Sequence, residues 1–372
     1  MNDLARQRRL LQARCHTTIP GFASGSPADE WERLAAWSRS QDVEHDVYGD
    51  GGLVEDFERK LAGILGKEAA VFMPSGVMAQ LCALRIHAGT ARLPRFGMHA
   101  TSHLALHEEH AYSELMHLES VVLGEAHRPL LEADLAACRE PLSSVVVELP
   151  IREAGGQLPD WSALEALKAS ARQRRIALHM DGARLWECAA WYGTPYARIA
   201  DGFASVYVSI YKGLGGLAGA VLAGDSAFVA QARVWRRRMG GTLHRLGPLV
   251  ASAAMRFDER LEAMPALYRR TLDFARALAP LQGLRVNPAV PQTNMLHLHI
   301  DAEAEALLAA RDRIAEEDGT WLFGGARAGG TPGWSVVEIY VGDRLLTLDD
   351  AFVVGRFTRL LEILAERRGE PA

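Results

Sequence analysis

The chain has 372 residues, of which 49% are hydrophobic and 23% charged, and 41 Lys and Arg against 46 Asp and Glu leave a net charge of −5. This balance excludes a disordered chain and gives no general affinity for nucleic acid or an anionic membrane. The length suits a large core with a second, smaller domain.

The first residues, Met1 to Arg14, are polar and Arg-rich and lack the apolar stretch of a secretion signal. No run reaches the roughly 18 apolar residues of a spanning helix. Cys15, Cys82, Cys138 and Cys188 show no CxxC spacing, the pattern of free thiols in a reducing compartment. A cytoplasmic protein is expected. The basic run Arg236-Arg237-Arg238 reads as a solvated helix face.

Short apolar runs then alternate with helical stretches. Ala69–Met73 reads as a strand, Pro74-Ser75-Gly76 as a turn, and Val77–His87 as a helix. Ser144–Leu149 is a second strand, and Asp160 begins a helix running through Arg174. Ile176–Met180 is a strand ending at Asp181, Phe203–Ser209 one ending just before Lys212, and Leu217–Ala223 another. Strands buried on both faces and separated by helices predict an α/β domain around a mostly parallel sheet. From Asp225 to about Leu281 the pattern is wholly helical, and Asn287–Pro291 reads as a linker. The remainder reads strand, helix, strand, helix. The expected domains are therefore residues 1–285 and a smaller α+β domain at 286–372.

Four features carry chemistry. Asp181 stands at the carboxyl end of an apolar strand, where open α/β sheets bind ligands, and a carboxylate there can pair with a buried cationic ring nitrogen. It also reads as a helix N-cap. Lys212, 31 residues later among glycines, can approach a cofactor, and a desolvated lysine forms Schiff bases; a solvated loop lysine is the alternative. Ser75, Gly76 and Val77 open a helix, a ready anion site or an ordinary strand-to-helix turn. His103 can stack on a ring and exchange a proton. His99, His103, His107 and His110 recur at three- or four-residue spacing, so a metal site and a plain surface helix also compete. Together the acid, the amine and the anion site are what pyridoxal 5′-phosphate (PLP) requires: a protonated pyridine as electron sink, a Schiff-base lysine and a phosphate pocket.

In order along the chain, Asp46–Asp50 (DVYGD), Leu65–Gly76 (LGKEAAVFMPSG), His103 with Glu108, Gly155-Gly156, His179–Arg184 (HMDGAR), Lys212–Gly215 (KGLG) and Met239–Gly241 (MGG) resemble the low-specificity threonine aldolases. These belong to the β-eliminating lyase group of PLP enzymes with the aspartate-aminotransferase fold, fold type I. The resemblance implies that Lys212 carries the cofactor, Asp181 holds its pyridinium and His103 stacks on it. It implies that Ser75, Gly76 and Val77 hold the phosphate, with Arg184 near the cofactor and the substrate carboxylate. It further implies homodimers or homotetramers with shared active sites, Tyr48 and His244-Arg245 being donated across the interface. The implied reaction cleaves a β-hydroxy-α-amino acid to glycine and an aldehyde.

The sequence departs from the family pattern in places. Tyr211 precedes the lysine where Ser is usual, and Leu149 follows Glu148 where Asn is usual. Ala137–Glu140 stands where a second His is common. Glu338 aligns with the Arg that usually binds the substrate carboxylate, a role for which Arg344 or Arg184 can compensate. Two alternatives therefore accompany the aldolase: β-elimination on a related amino acid, and a PLP-binding relative without turnover.

Overall fold

The structure, a computed structural model, describes residues 3–23 and 25–368. The chain forms two compact units. The larger comprises Gly25–Glu153 and Gln157–Met264, the smaller Met1–Ser24, Ala154–Gly156 and Pro265–Ala372.

The larger unit is built on a seven-stranded sheet of β1 (Ala69–Met73), β2 (Arg95–His99), β3 (Glu119–Leu123), β4 (Ser144–Glu148), β5 (Ala177–Gly182), β6 (Ser205–Ser209) and β7 (Ala220–Gly224). Their order is β1-β7-β6-β5-β4-β2-β3. Only β7 runs against its neighbours β1 and β6; the other pairs are parallel. The inner strands are nearly continuous runs of buried Val, Leu and Ala, which need helices on both faces. The helix Gly76–Ala91 is correspondingly buried from Ala79 to Leu84 and from Ile86 to Ala88. Within that apolar stretch Gln80 and His87, two turns apart, share one face.

Parallel pairing fixes what meets at the carboxyl edge. Glu148 of β4 is the register partner of Asp181 of β5, and Asp181 is that of Tyr207 of β6. The chain leaves β6 at Ser209, whose hydroxyl accepts the backbone N–H groups of Tyr211 (3.3 Å) and Lys212 (3.4 Å). The loop back to β7 is pinned by Arg256, which donates to the Gly215 carbonyl (2.8 Å), and by Ser252, whose hydroxyl accepts from Leu217 N (2.8 Å).

The smaller unit carries an antiparallel sheet, ordered Arg327–Ala328, Ser335–Tyr340, Met295–Ile300 and Leu284–Asn287. The helices Ala304–Asp318 and Asp350–Arg368 share its apolar core. Its division from the larger unit differs from the expected boundary at 285/286. It begins at Pro265, inside the helix Gly247–Leu278, and includes the N-terminal segment. That segment belongs there because Thr17–Thr18 pairs with Thr320–Trp321 and Ile19 is fully buried in the same core.

Two other expectations need correction. The stretch after Asp225 is not wholly helical: the helix Ser226–Arg238 ends, and residues 239–246 intervene before Gly247–Leu278. Gly240, at a φ of +75°, turns the chain there, and any side chain on Gly241 would overlap the Met78 sulfur. The run Arg236–Arg238 is also not wholly solvated. Arg236 is buried and donates to the Phe72 carbonyl at 2.9 Å, serving β1 rather than solvent.

Candidate active site

At the carboxyl edge of β5 and β6 lies a cavity of about 190 Å³, lined among others by Ser75, Gly76, Val77, Gln80, His103, Asp181, Tyr207 and Lys212. Every residue expected to hold the cofactor lines it except Arg184. A larger hollow of about 590 Å³ lies elsewhere in this unit, between Trp37, Asp56, Lys60 and Asp258, and contains none of them. The chemistry selects the smaller cavity.

One wall is the N-terminus of the helix Gly76–Ala91. Ser75 caps it, its hydroxyl accepting from Met78 N at 3.2 Å. The N–H groups of the first turn have no carbonyl within the helix and aim at an anion. A Cβ at Gly76 would overlap the Tyr207 hydroxyl, so only glycine lets this turn approach β6.

Asp181 is 2% exposed. Its Oδ2 accepts from Gln80 Nε2 at 2.5 Å and its Oδ1 from Ala183 N at 3.1 Å. The loop site Lys212 is half-buried, and burial holds its amine below the usual lysine range. Asp181 and Glu148 oppose that shift, while Arg184 and Arg152 reinforce it.

His103 Nδ1 lies 2.9 Å from Glu108 Oε1. A carboxylate only accepts, so Nδ1 carries a proton, and Nε2 is the ring nitrogen left for proton exchange. The other histidines of this segment take separate hydrogen-bond or ring partners, although the His107 ring stays 5.0 Å from that of His103. His99 hydrogen-bonds to Thr101 and to the carbonyls of Glu125 and Arg128, and His107 to Glu153; His110 stands edge-on to Tyr112.

Arg184 pairs with Glu187 at 3.5 Å and acts on Lys212 through its charge. Tyr48, at a φ of +58°, is half exposed, with its ring against His244 (5.2 Å between centroids). Arg344 and Glu338 belong to the smaller unit, on the helix Asp343–Leu346 and the strand Ser335–Tyr340, where Glu338 is the register partner of His297.

Glu148 is a residue of this edge whose role no sequence motif announces. Burial first, then the charge of Asp181, push its carboxyl up to about 7; the Arg152 N–H, Lys212 and His103 pull the other way. The available signal was its position: a carboxyl ending an apolar strand, as Asp181 does. Glu108 Oε2 and Glu148 Oε2 are buried with no hydrogen-bond partner among the described residues. A cavity with an anion-binding turn, a carboxylate, an amine and a lone imidazole nitrogen fits a flat cationic ring bearing one phosphate.

Residues 34–301 match the profile of the family described as β-eliminating lyase. The chain is 27% identical over 335 residues to low-specificity L-threonine aldolase 1 of Arabidopsis thaliana, covering 87% of this chain and 91% of that one. To the low specificity L-threonine aldolase of Escherichia coli K12 it is 30% identical over 273 residues, covering 72% and 80%. Among solved structures, a putative L-allo-threonine aldolase from Listeria monocytogenes superposes with a TM-score of 0.89 at 35% identity, over 98% of this chain and 99% of that one.

Proposed function

The chain belongs to the β-eliminating lyase family, in its threonine aldolase group, and from that premise we propose a PLP-dependent lyase that cleaves a threonine-like β-hydroxy-α-amino acid to glycine and an aldehyde. The observation that carries this reading is the meeting of Lys212, Asp181 and the Ser75–Val77 turn on one cavity.

PLP, when bound, supplies a ring that accepts the electron pair left at the substrate α-carbon. Lys212 is the amine that would carry it. Because burial lowers its pKa, the unprotonated nucleophile is present nearer neutrality than in a free lysine. Asp181 would keep the ring nitrogen protonated, and the N–H groups of Gly76 and Val77 with the Ser75 turn would hold the phosphate. His103 would stack on the ring. Its Nε2 lone pair, fixed by the Nδ1 bond to Glu108, takes the proton of the substrate β-hydroxyl. With that proton gone the Cα–Cβ bond parts, the aldehyde leaves, and Cα takes up a proton to become glycine. Glu148, raised to about 7 and so holding its proton well above the ordinary carboxyl range, would be a proton reservoir beside Asp181.

Arg184 and Arg344 are the candidates for the substrate carboxylate. Tyr48, half exposed beside His244, suits donation to a neighbouring copy in a cytoplasmic homodimer or homotetramer. A second reading, β-elimination, draws support from Glu338, since a carboxylate at the position expected for an arginine disfavours ordinary carboxylate anchoring. The test is to incubate the cofactor-loaded protein with L-threonine, L-allo-threonine and phenylserine. Glycine with the matching aldehyde is expected. No product from any of the three rejects the aldolase, and pyruvate with ammonia from serine- or cysteine-like substrates favours the second reading.

A further inference from the structure

From Asp181, four buried side chains continue the hydrogen bonding into the interior. Gln80 Nε2 donates to Asp181 Oδ2 at 2.5 Å, and Gln80 Oε1 lies 2.6 Å from His179 Nε2. His179 Nδ1 lies 2.7 Å from Ser205 Oγ, which lies 2.7 Å from His87 Nε2. None of the four is more than 8% exposed, and only Gln80 lines the cavity.

The chemistry of one end dictates the direction of every link. An ionised Asp181 can only accept, so the Gln80 amide must turn its NH2 toward it and its oxygen toward His179. His179 must then carry its proton on Nε2, leaving the Nδ1 lone pair to accept the Ser205 hydroxyl proton. Ser205 in turn accepts from His87 Nε2–H. Each donor is itself polarised by the next, all in one sense, and bonds chained this way strengthen one another in a low-dielectric interior. Both rings are suited to it: burial holds His87 down to about 4 and His179 down to about 3, so neither becomes a doubly donating imidazolium near neutrality. The groups acting on them are Asp225 on His87, and His87 with the Ser205 backbone on His179. Phe228 stacks on the His87 ring at 5.2 Å and closes the far end.

We propose that His87, Ser205, His179 and Gln80 form a one-way donor chain that holds Asp181 as an oriented carboxylate for the cofactor ring, making all four positioning residues of the site. The proposal rests on the reading of Asp181 as partner of the ring nitrogen.

The test uses the full chain labelled with ¹⁵N-histidine, both cofactor-free and loaded with PLP. The two signals are assigned by their loss in His87→Gln and His179→Gln. Both rings are expected to show a protonated Nε2 and a bare Nδ1 between about pH 6 and 8. A proton on Nδ1 of His179, or an imidazolium at either position, overturns the chain. Ser205→Ala touches neither Asp181 nor the cavity. It is expected to weaken PLP retention about three- to tenfold, the effect of one neutral hydrogen bond, with Ser205→Thr restoring most of it. Unchanged retention in Ser205→Ala overturns the positioning role. If that variant does not fold, Gln80→Met gives the same readout at the first link. A wild-type protein that takes up no PLP overturns the cofactor reading and the positioning role with it, whatever the tautomers show. Correct tautomers with unchanged retention in the variant overturn the role alone.

Discussion

On the proposed reading, Lys212, Asp181 and Glu148 divide the work of the site by charge. Replacing Lys212 with Ala is expected to abolish borohydride-fixable PLP on the chain, read by mass, and to lower turnover by at least about 10²–10⁴-fold, the range for a lost proton-transfer group. Asp181→Ala is expected to weaken PLP retention in a binding titration, because the ring nitrogen loses its partner and Gln80 its acceptor. Glu148 responds to pH. Its folded-state carboxyl is raised to about 7, so its contribution to stability is intact below the ordinary carboxyl range and is lost as pH rises through about 7. In denaturant titrations of the cofactor-free protein, Glu148→Gln is expected to match wild type near about pH 5 and to exceed it near about pH 8. A wild-type advantage at the higher pH would contradict this account. Of these three, the positions of Asp181, ending an apolar strand, and of Lys212, in the glycine-rich loop just beyond one, were legible in the sequence. The task of Glu148 was not, because it arises from register with Asp181, which only the sheet defines.

Among the elements, the turn into the helix Gly76–Ala91 and the start of the helix Gly247–Leu278 bear the tightest constraints. Gly76→Ala forces a methyl into the Tyr207 hydroxyl and should cost about 1–3 kcal/mol, read as a lower denaturation midpoint, with weakened phosphate binding. Adding Tyr207→Phe should recover part of the stability. Asp46 accepts from Leu246 N (2.9 Å), Gly247 N (2.8 Å) and Gly49 N (3.0 Å). Burial alone would raise its carboxyl, but these N–H bonds outweigh burial and hold it below the usual range. Its contribution is therefore present above the ordinary carboxyl pKa and is lost as pH falls through the lowered one. Asp46→Ala should destabilise by about 1–3 kcal/mol at neutral pH, by denaturant titration, and by less in acid. The sequence showed the strands flanking these turns, since unbroken Val, Leu and Ala runs leave little choice. It did not show β2 and β3 at one end of the sheet: β2 interleaves Arg and Gly with apolar residues, and β3 exposes Val122, so neither bears the signature of an unbroken apolar run. Nor did it show where the break at residues 239–246 ends, because Asp46, some 200 positions earlier, accepts the Leu246 and Gly247 N–H groups there.

At the scale of the whole molecule, the α/β character and the helix-covered sheet followed from local pattern, while the division into units did not. A boundary near Pro288 looks natural from the proline-rich stretch, yet the smaller unit takes in the N-terminal segment through contacts no local signal announces. Ile19, fully buried among Phe274, Leu322 and Phe323, tests this. Ile19→Ala should destabilise the smaller unit by about 2–5 kcal/mol, seen as an earlier loss of its transition in a denaturant series.

The pairing of Thr17–Thr18 with Thr320–Trp321 also sets a timetable for synthesis. At about 5–20 residues per second, the leading strand waits about 15–60 s on the ribosome before its partner is translated. The sheet that carries Asp181 and the β6–β7 loop that carries Lys212 are complete by Gly224 and can close in that interval. The framework of the candidate site thus matures first, while the opening segment stays unpaired and open to chaperones or proteases until about the last seventh of the polypeptide emerges.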